Sequence, residues 1–377
     1  MSVWPRCIVL LAAAALSLAD AAAQSRPEQV EPGNFGPVLI GRGWDRSTPP
    51  ASIEVLPLKV AGHRWDGTGG YGALFFTCRS RSDAAYGRCA TEDTGDDAAG
   101  TGSRVAVRFT ERRSGTRVEI DVVGALRRID ASDRCHSSYW SQQPRPLSTS
   151  KSSLCVGSGP VGTGVELEIQ ADQLQRLVAG KWSATLELAL NTPAQHALAV
   201  YTFMFDFTIT DRDAVAIYFP EFDRTRPSVG LNLRYDPITD QLDGRSRLDM
   251  CLYDGLGSLS DYLDITVRDT GTQPPPDGHF SVWHQDGGHS VRDRLDYTVT
   301  LDHAGAGLVL RNGVTQQLSG IDVARLRLVL LPGMNQPVYC VPTPLTFNTP
   351  SFLVTDKLPG FYSGGLKVEM TVPASNP

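Results

Sequence analysis

The cysteine side chains offer the clearest chemistry in the sequence, which is the formation of disulfide bonds. The chain has seven cysteines, and removal of an N-terminal leader that includes Cys7 would leave six. Six cysteines allow fifteen pairings. Their clustering along the chain favours Cys78 with Cys89, Cys135 with Cys155, and Cys251 with Cys340. A zinc site is disfavoured, because no two of these cysteines are separated by the two to four residues typical of structural zinc ligands.

Three other groups of residues have weaker chemical signals. The Gly-Ser-Gly string at 157–159 lacks the spacing and the strand-to-helix context of a hydrolase nucleophile, so a loop is the better interpretation. His284 and His289 flank an Asp-Gly-Gly sequence that is typical of a hairpin turn, which competes with a metal-binding interpretation. The acidic residues at 92–97 do not follow the ligand order of a calcium-binding EF-hand loop. We therefore expect no metal site.

Neither catalysis nor nucleic-acid binding is supported. No glycine-rich phosphate loop precedes a helix, and no His, Asp or Glu arrangement indicates a general acid and base pair. The net charge is −6, whereas nucleic-acid-binding proteins concentrate positive charge. We expect a protein that is not an enzyme and has no cofactor.

The first 23 residues have the pattern of a cleaved secretory signal. Arg6 precedes an apolar run at 7–18, and three alanines at 21–23 stand before Gln24. The apolar run is too short to cross a bilayer, which requires about 20 helical residues. Export to an oxidising compartment agrees with the disulfide prediction.

The mature chain is long enough for two domains, because one hydrophobic core usually stops growing below this size. The apolar pattern halts at residues 211–213 and then restarts. We therefore predict a first domain at 24–211 and a second domain at 212–377.

Short alternating or β-branched runs dominate both halves and predict an all-β protein with immunoglobulin-like β-sandwich domains. At 117–122, for example, Val118, Ile120 and Val122 alternate with charged residues, which indicates a strand with one buried face. Residues 24–50 are rich in Pro and Gly and predict an extended segment without a packed element, and only 171–178 has helical character. The predicted strands are 53–58, 71–77, 104–110, 116–123, 165–169, 182–190, 198–209, 214–219, 230–234, 247–252, 263–268, 279–283, 295–301, 326–331 and 366–372.

The last predicted strand is amphipathic. One face carries the apolar side chains of Leu366, Val368, Met370 and Val372, which alternate with polar residues. An edge strand of this kind is either protected by loops of its own chain, which the pattern alone slightly favours, or filled by a strand from a partner.

Several motifs resemble the family of class 5 fimbrial tip adhesins and cable-pilus initiators (CblD-like proteins), which includes the minor tip subunit of colonization factor antigen I fimbriae. The strings LDMCLYDG at 248–255, DGHF at 277–280 and PVYCVP at 337–342 are similar to the pilin domain of that family. The strings FFTC at 75–78, FTERRS at 109–114 and WSATL at 182–186 are similar to its adhesin domain. The likeness covers nearly the whole mature chain.

This resemblance implies a minor tip subunit that initiates assembly of a chaperone-usher pilus and adheres through its N-terminal domain. The C-terminal pilin domain would lack its final strand, and a donor strand would complete it. The implied partners are a periplasmic chaperone, an outer-membrane usher, the major pilin and a host or surface receptor, with a glycan among the candidates. Leu366, Val368, Met370 and Val372 would line the donor-strand groove, and the protein would be exported through the periplasm to the pilus tip at the cell surface.

The sequence departs from the family at the receptor pocket. Positions that are basic in the enterotoxigenic members are occupied here by Ala73, Asn191 and Thr192, which cannot replace arginine in bidentate contacts with an anionic sugar. The remaining candidate receptor-binding cations are Arg112, Arg113, Arg127, Arg128 and Lys181. The alternative is a purely structural pilus initiator without receptor binding.

Overall fold

The computed structural model describes residues 27–373 except 97, 99, 133–138, 142, 153–158, 223–225, 272, 274 and 277. Within this part the chain forms two all-β units, which confirms the predicted fold class; completion by a donor strand stays a prediction. The predicted leader at 1–23 lies outside the described residues.

The first unit is one nine-stranded sheet in the order β1-β9-β8-β4-β5-β7-β2, with β3 on β8 and β6 on β5. Inward side chains of the long strands, including Phe109, Trp182 and Phe205, meet in one core, so the sheet curves around it. The elements are β1 (Phe35–Asp45), β2 (Ser52–His63), β3 (Phe75–Thr77), β4 (Ser103–Glu111), β5 (Arg117–Asp130), β6 (Arg145–Pro146), β7 (Pro160–Gln170), helix α1 (Ala171–Leu174), β8 (Gly180–Asn191) and β9 (Ala199–Thr210), with a 3₁₀ helix at Thr68–Ala73.

The prediction that residues 24–50 lack a packed element is wrong. Strand β1 runs for 11 residues and pairs in parallel with β9. It packs Ile40 into the core and Phe35 and Trp44 against it, while Pro37 lies exposed on the sheet edge, where its missing N–H is not needed. The predicted strand at 71–77 is also shorter, because glycines place Tyr71 in the 3₁₀ helix.

The described part of the second unit consists of shorter strands in three sheets around a separate core that includes Met250, Phe280 and Val299. Its strands are β10 (Ala216–Tyr218), β11 (Leu233–Asp236), β12 (Gln241–Leu248), β13 (Cys251–Tyr253), β14 (Tyr262–Asp269), β15 (Phe280–His284), β16 (Arg294–His303), β17 (Ala306–Leu310), β18 (Thr315–Ser319), β19 (Arg327–Val329), β20 (Val338–Pro342), β21 (Leu345–Leu353), β22 (Tyr362–Ser363) and β23 (Leu366–Thr371). Four 3₁₀ helices join them, at Arg212–Ala214, Val291–Asp293, Ile321–Val323 and Val354–Asp356.

Two of the three predicted disulfide bonds are present, Cys78–Cys89 and Cys251–Cys340. The second joins the paired strands β13 and β20 inside the second unit. Cys135 and Cys155 lie outside the described residues, so their pairing stays a prediction.

Hydrogen bonds connect the two units. The guanidinium of Arg113 donates to the carbonyl oxygens of Ser258 and Ala324. Thr116 Oγ1 donates to the hydroxyl of Tyr339 at 3.0 Å. The junction therefore combines these polar contacts with an apolar cluster to which both units contribute, and it lies at the end of the first unit from which β9 leaves.

Candidate functional site

An open groove runs along the second unit between two strands whose outer edges are unpaired in the described part of the chain. Strand β23 pairs only with β14, and strand β10 pairs only with β13. Both edges present main-chain N–H and C=O groups of the kind that accept an added strand.

The groove has a volume of about 990 Å³, and most of the residues that line it are apolar. Leu366, Val368 and Met370 of β23 form one wall, and Ile217 and Phe219 lie on the side of β10. The inner lining also includes the core residues Leu248, Val282, Tyr297 and Phe347.

All four apolar side chains predicted from the β23 pattern are partly buried against the core of the second unit. Leu366, Val368 and Met370 line the groove, and Val372 packs against the same core just beyond the end of β23. Each of the four is therefore shielded on the side of the core and partly accessible on the other. The sequence reasoning missed the opposite wall, although the apolar run 217–219 could have indicated it.

The outward face of β23 is charged. Glu369 accepts hydrogen bonds from Lys367 Nζ at 2.6 Å and from Arg268 Nε at 3.0 Å. These two bonds, Lys367 first, lower the pKa of the Glu369 carboxyl. The alternation of apolar and charged residues thus separates a groove wall from a solvated face.

Two of the candidate receptor-binding cations form ion pairs on the surface of the first unit. Arg112 Nη2 lies 3.0 Å from Asp206, and Arg127 Nη2 lies 3.0 Å from Glu166 Oε1. Lys181 has an exposed side chain on β8, where its main-chain N–H donates to Glu111 Oε1. The five candidates are not brought together into one pocket.

Arg113 and Arg128 are engaged within the protein. Arg113 spans the junction of the two units as described above. Arg128 is fully buried on β5. Its guanidinium donates to the carbonyl oxygens of Leu74, Thr149 and Lys151 and to Thr163 Oγ1. A receptor could reach this group only if the surrounding structure rearranged.

Two of the three positions at which the resemblance implied a receptor pocket, Asn191 and Thr192, form a compact polar turn. Asn191 is buried, and its side-chain amide donates to Thr77 Oγ1 and accepts a bond from the Ala197 N–H. Thr192 Oγ1 accepts from the Gln195 N–H at 3.0 Å. Ala73 closes the nearby 3₁₀ helix. The side chains of Asn191 and Thr192 stabilise the β8–β9 turn. None of the three positions supplies a positive charge for an anion.

The histidine pair does not gather other metal-binding side chains. The buried ring of His284 lies 3.3 Å from the Pro359 carbonyl oxygen and 3.5 Å from Asp286. Across the described residues, no group of three or more His, Cys, Asp or Glu is placed to hold a metal ion. In the same part of the chain, no helix is both long enough and apolar enough to span a membrane.

Comparisons with known proteins agree with this architecture. Residues 19–212 match the family model for the first domain of CfaE, a subunit of CFA/I fimbriae, and residues 215–374 match the model for its second domain. The curated CfaE protein of Escherichia coli CFA/I fimbriae is 27% identical over 311 residues, which are 80% of this chain and 81% of that protein.

Two solved structures share the fold. The crystal structure of CfaE, the adhesive subunit of the CFA/I fimbria of enterotoxigenic Escherichia coli, superposes with a TM-score of 0.70 at 23% identity and covers 93% of this chain and 95% of that one. A chaperone–tip adhesin complex of CFA/I fimbriae superposes with a TM-score of 0.66 at 23% identity, and the match covers 92% of this chain and 98% of that one.

Two tandem β-sandwich units with these matches define a two-domain fimbrial adhesin subunit. More specifically, the chain belongs to the CfaE family of CFA/I fimbrial subunits, which confirms the resemblance stated from its motifs. This family is one of fimbrial adhesins and not of enzymes.

Proposed function

We propose that this protein is the tip subunit that initiates a chaperone-usher pilus and carries its adhesin. In this proposal residues 1–23 are the export signal, 24–211 the adhesin domain and 212–377 the pilin domain. The groove between β10 and β23 receives first a strand of a periplasmic chaperone, and then the N-terminal extension of the major pilin at the outer-membrane usher.

The observation that carries the proposal is the pair of unpaired strand edges on either side of an apolar groove. Strand β23 spans six residues, so an added strand of about 20 Å would cover it. Its main chain would bond to the edge, and alternate side chains would fill the space beside Leu366, Val368 and Met370.

The N-terminal segment supports a position at the tip. Residues 35–45 form β1 within the first unit, and Val30 bridges to His63 at the end of β2. This part of the chain is therefore engaged in its own domain and is not available to complete a neighbouring subunit. A subunit that accepts a strand without donating one sits first in the fibre.

The test is thermal unfolding of the mature chain alone and with a synthetic peptide that copies the N-terminal extension of the major pilin. A ligand that binds only the folded state raises the unfolding temperature with increasing concentration. The control peptide has the same composition but its apolar positions moved by one residue, which turns the anchors away from the groove. Equal stabilisation by both peptides, or by neither, would contradict donor-strand completion.

A purely structural initiator is the second candidate, because four of the five candidate receptor-binding cations are engaged within the protein. Arg112 and Arg127 are ion-paired, and Arg113 and Arg128 are bonded within the protein. Binding of the peptide-completed chain to host cells separates the two candidates. Cell binding supports adhesion, and its absence while the donor peptide still stabilises the chain supports the structural role.

A further inference from the structure

Partly exposed aromatic side chains gather at the end of the first unit opposite the junction. Strand β2 ends there at His63, and β7 begins there at Pro160. Trp65 follows β2 directly, and the carbonyl oxygen of Tyr139 accepts a bond from the N–H of Asp130, the last residue of β5. The group therefore lies at the distal end of the proposed adhesin domain.

The aromatic rings lie close together, and those of His63, Trp65 and Tyr139 meet edge to face. The ring centroid of Trp65 is 4.1 Å from that of His63 and 6.3 Å from that of Tyr139. The guanidinium of Arg64 lies 5.6 Å from the centroid of Tyr71. Whereas His63 is buried, the other side chains keep part of their surface in solvent.

The N-terminal segment fixes this surface in place. The Glu28 carbonyl oxygen lies 2.8 Å from His63 Nδ1. Glu31 accepts hydrogen bonds from Arg64 Nε and from the Tyr71 hydroxyl, both at 2.5 Å. These bonds, that from Arg64 first, lower the pKa of the Glu31 carboxyl, so the polar groups stay charged and oriented. Residues 28–31 therefore hold the side chains of His63, Arg64 and Tyr71 in fixed positions.

A glycine turn leaves bare main chain beside the Tyr71 ring. Gly69 has a φ of 79°, and a Cβ at this position would lie 2.7 Å from Tyr71 Cε1. Gly70 also has a positive φ, of 70°. Glycine is therefore required for the ring to lie against the turn, and the turn presents peptide groups without side chains to a ligand.

We propose that Trp65, Tyr71 and Tyr139, with Glu31 and Arg64, form a binding site for an uncharged carbohydrate; the inference rests on the proposed adhesive function. A sugar ring offers an apolar C–H face that packs on flat aromatic rings, and hydroxyls that bond to oriented carboxylate and guanidinium groups.

The charges of the site favour a neutral ligand over an anionic one. The guanidinium of Arg64 is already paired with Glu31, and it also interacts electrostatically with the carboxylate of Asp66, which adds a second negative charge to the site. An anionic sugar would therefore meet more negative than positive charge. The polar turn at Asn191 and Thr192 at the same end adds no cation.

The test is binding of the peptide-completed mature chain to an array that carries uncharged oligosaccharides and their sialic-acid-terminated counterparts. We expect binding to uncharged glycans, reduced about tenfold or more by Trp65→Ala. Glu31→Gln, which removes the charge that orients Arg64 and Tyr71 without removing bulk, should also weaken it. Tyr86→Ala is the matched control, because Tyr86 is an exposed aromatic that contacts Arg79 on the side of the same unit. Thermal unfolding of each variant shows whether it remains folded.

Binding only to sialylated glycans, or to cells stripped of glycans, would overturn this inference and leave adhesion intact. Uncharged-glycan binding that survives both Trp65→Ala and Glu31→Gln would overturn it as well. A complete absence of binding would overturn both the inference and the adhesive role, while stabilisation by the donor peptide would still support the pilus position.

Discussion

Arg128 is the side chain on which the interior of the first unit depends most for polar contacts. Burial, followed by repulsion from Arg145, lowers the pKa of Arg128 to about 9, so the guanidinium is still protonated at pH 7. It bonds to three carbonyl oxygens and one hydroxyl on separate segments. Arg128→Ala would leave these acceptors unpaired beside a cavity, and we expect it to lower the free energy of unfolding by about 3–5 kcal/mol.

Arg127→Ala provides the matched control, because the neighbouring arginine is a partly exposed partner of Glu166. We expect this variant to cost about 0–1 kcal/mol. Denaturant unfolding of both variants measures the difference. Equal losses would mean that the bonds of Arg128 contribute no more than a surface ion pair.

Asp45 links the end of β1 to the end of β9 and makes a pH-dependent contribution to the stability of the folded state. Burial opposes its ionisation, but hydrogen bonds from Thr210 Oγ1, Ser47 and the Arg212 N–H outweigh burial and lower its pKa from 3.8 to about 2. A depressed pKa stabilises the folded state above pH 3.8, and this stabilisation is lost as the pH falls toward 2. We expect Asp45→Asn to cost about 1 kcal/mol at pH 7, after allowance for solvent screening.

The stability difference between the wild type and Asp45→Asn should narrow as the pH falls from about 4 to about 2. Denaturant unfolding at a series of pH values measures it. A difference that stayed constant through this range would show that the loss arises from altered hydrogen-bond geometry and not from the charge.

The burial of Arg128 could have been predicted from the parity of its strand. Val118, Ile120 and Val122 indicate that even-numbered residues of β5 face inward, and the same parity places Leu126 and Arg128 inside. The residue type argued against burial at this position, because arginine is almost never fully buried without partners. Those partners come from residues 74, 149, 151 and 163, which no local pattern connects to β5.

At the level of elements, the two disulfide bonds constrain loops of very different length. Cys251 and Cys340 are 89 residues apart, whereas Cys78 and Cys89 are 11 apart. A longer closed loop removes more entropy from the unfolded chain. We expect replacement of Cys251 and Cys340 by alanine to cost about 3–5 kcal/mol, and the same change at Cys78 and Cys89 about 2–3 kcal/mol.

Denaturant unfolding of the two double variants, each with the donor peptide bound, measures these costs. Because the bound peptide fills the groove in both variants, the difference between their free energies of unfolding reflects loop closure and not the open groove. A larger loss at the short loop would show that packing around Cys78 and Cys89 matters more than chain entropy.

The alternation of apolar and polar residues made β5 and β23 predictable. The Pro and Gly content of β1 did not indicate a strand. Pro and Gly at 36, 37, 41 and 43 are typical of loops, yet β1 is an edge strand in which these residues are exposed, while Ile40 lies in the core and Phe35, Val38 and Trp44 pack against it. The break between β12 and β13 at Asp249 and Met250 was not apparent, because 247–252 alternates charged and apolar residues up to Met250 and then continues with Cys251 and Leu252, without a glycine or proline. Polar strands such as β18 are held by pairing with β14, which a single-strand pattern does not reveal.

For the whole molecule, the placement of three features at different positions is consistent with a tip subunit. The groove lies in the second unit, the aromatic surface lies at the far end of the first, and hydrogen bonds and an apolar cluster join the two units between them. The sequence indicated one wall of the groove through β23. It did not indicate the junction, because those contacts join residues more than a hundred positions apart, such as Arg113 with Ser258.

Arg113 makes the junction testable. Its guanidinium donates one hydrogen bond to the Ser258 carbonyl oxygen and another, at 2.8 Å, to the Ala324 carbonyl oxygen. Hydrogen bonds to charged groups contribute about 1.5–3 kcal/mol each. Arg113→Ala should therefore weaken the coupling between the units, and scanning calorimetry of the peptide-completed chain should show their unfolding transitions moving apart.

The neighbouring Arg112 supplies the control for this effect. Its partner Asp206 belongs to the same unit, and the pair is largely exposed, so Arg112→Ala should leave the calorimetric transitions where they are in the wild type. If Arg113→Ala also left them unchanged, the remaining contacts would have to carry the coupling: the Thr116–Tyr339 hydrogen bond, the main-chain bond from Asp211 to Gly255, and the apolar cluster around Ala179. If the two unfolding transitions separate in Arg113→Ala but not in Arg112→Ala, the Arg113 side chain at the base of the adhesin domain couples the two units. It would then determine how rigidly the aromatic surface is held on the pilus.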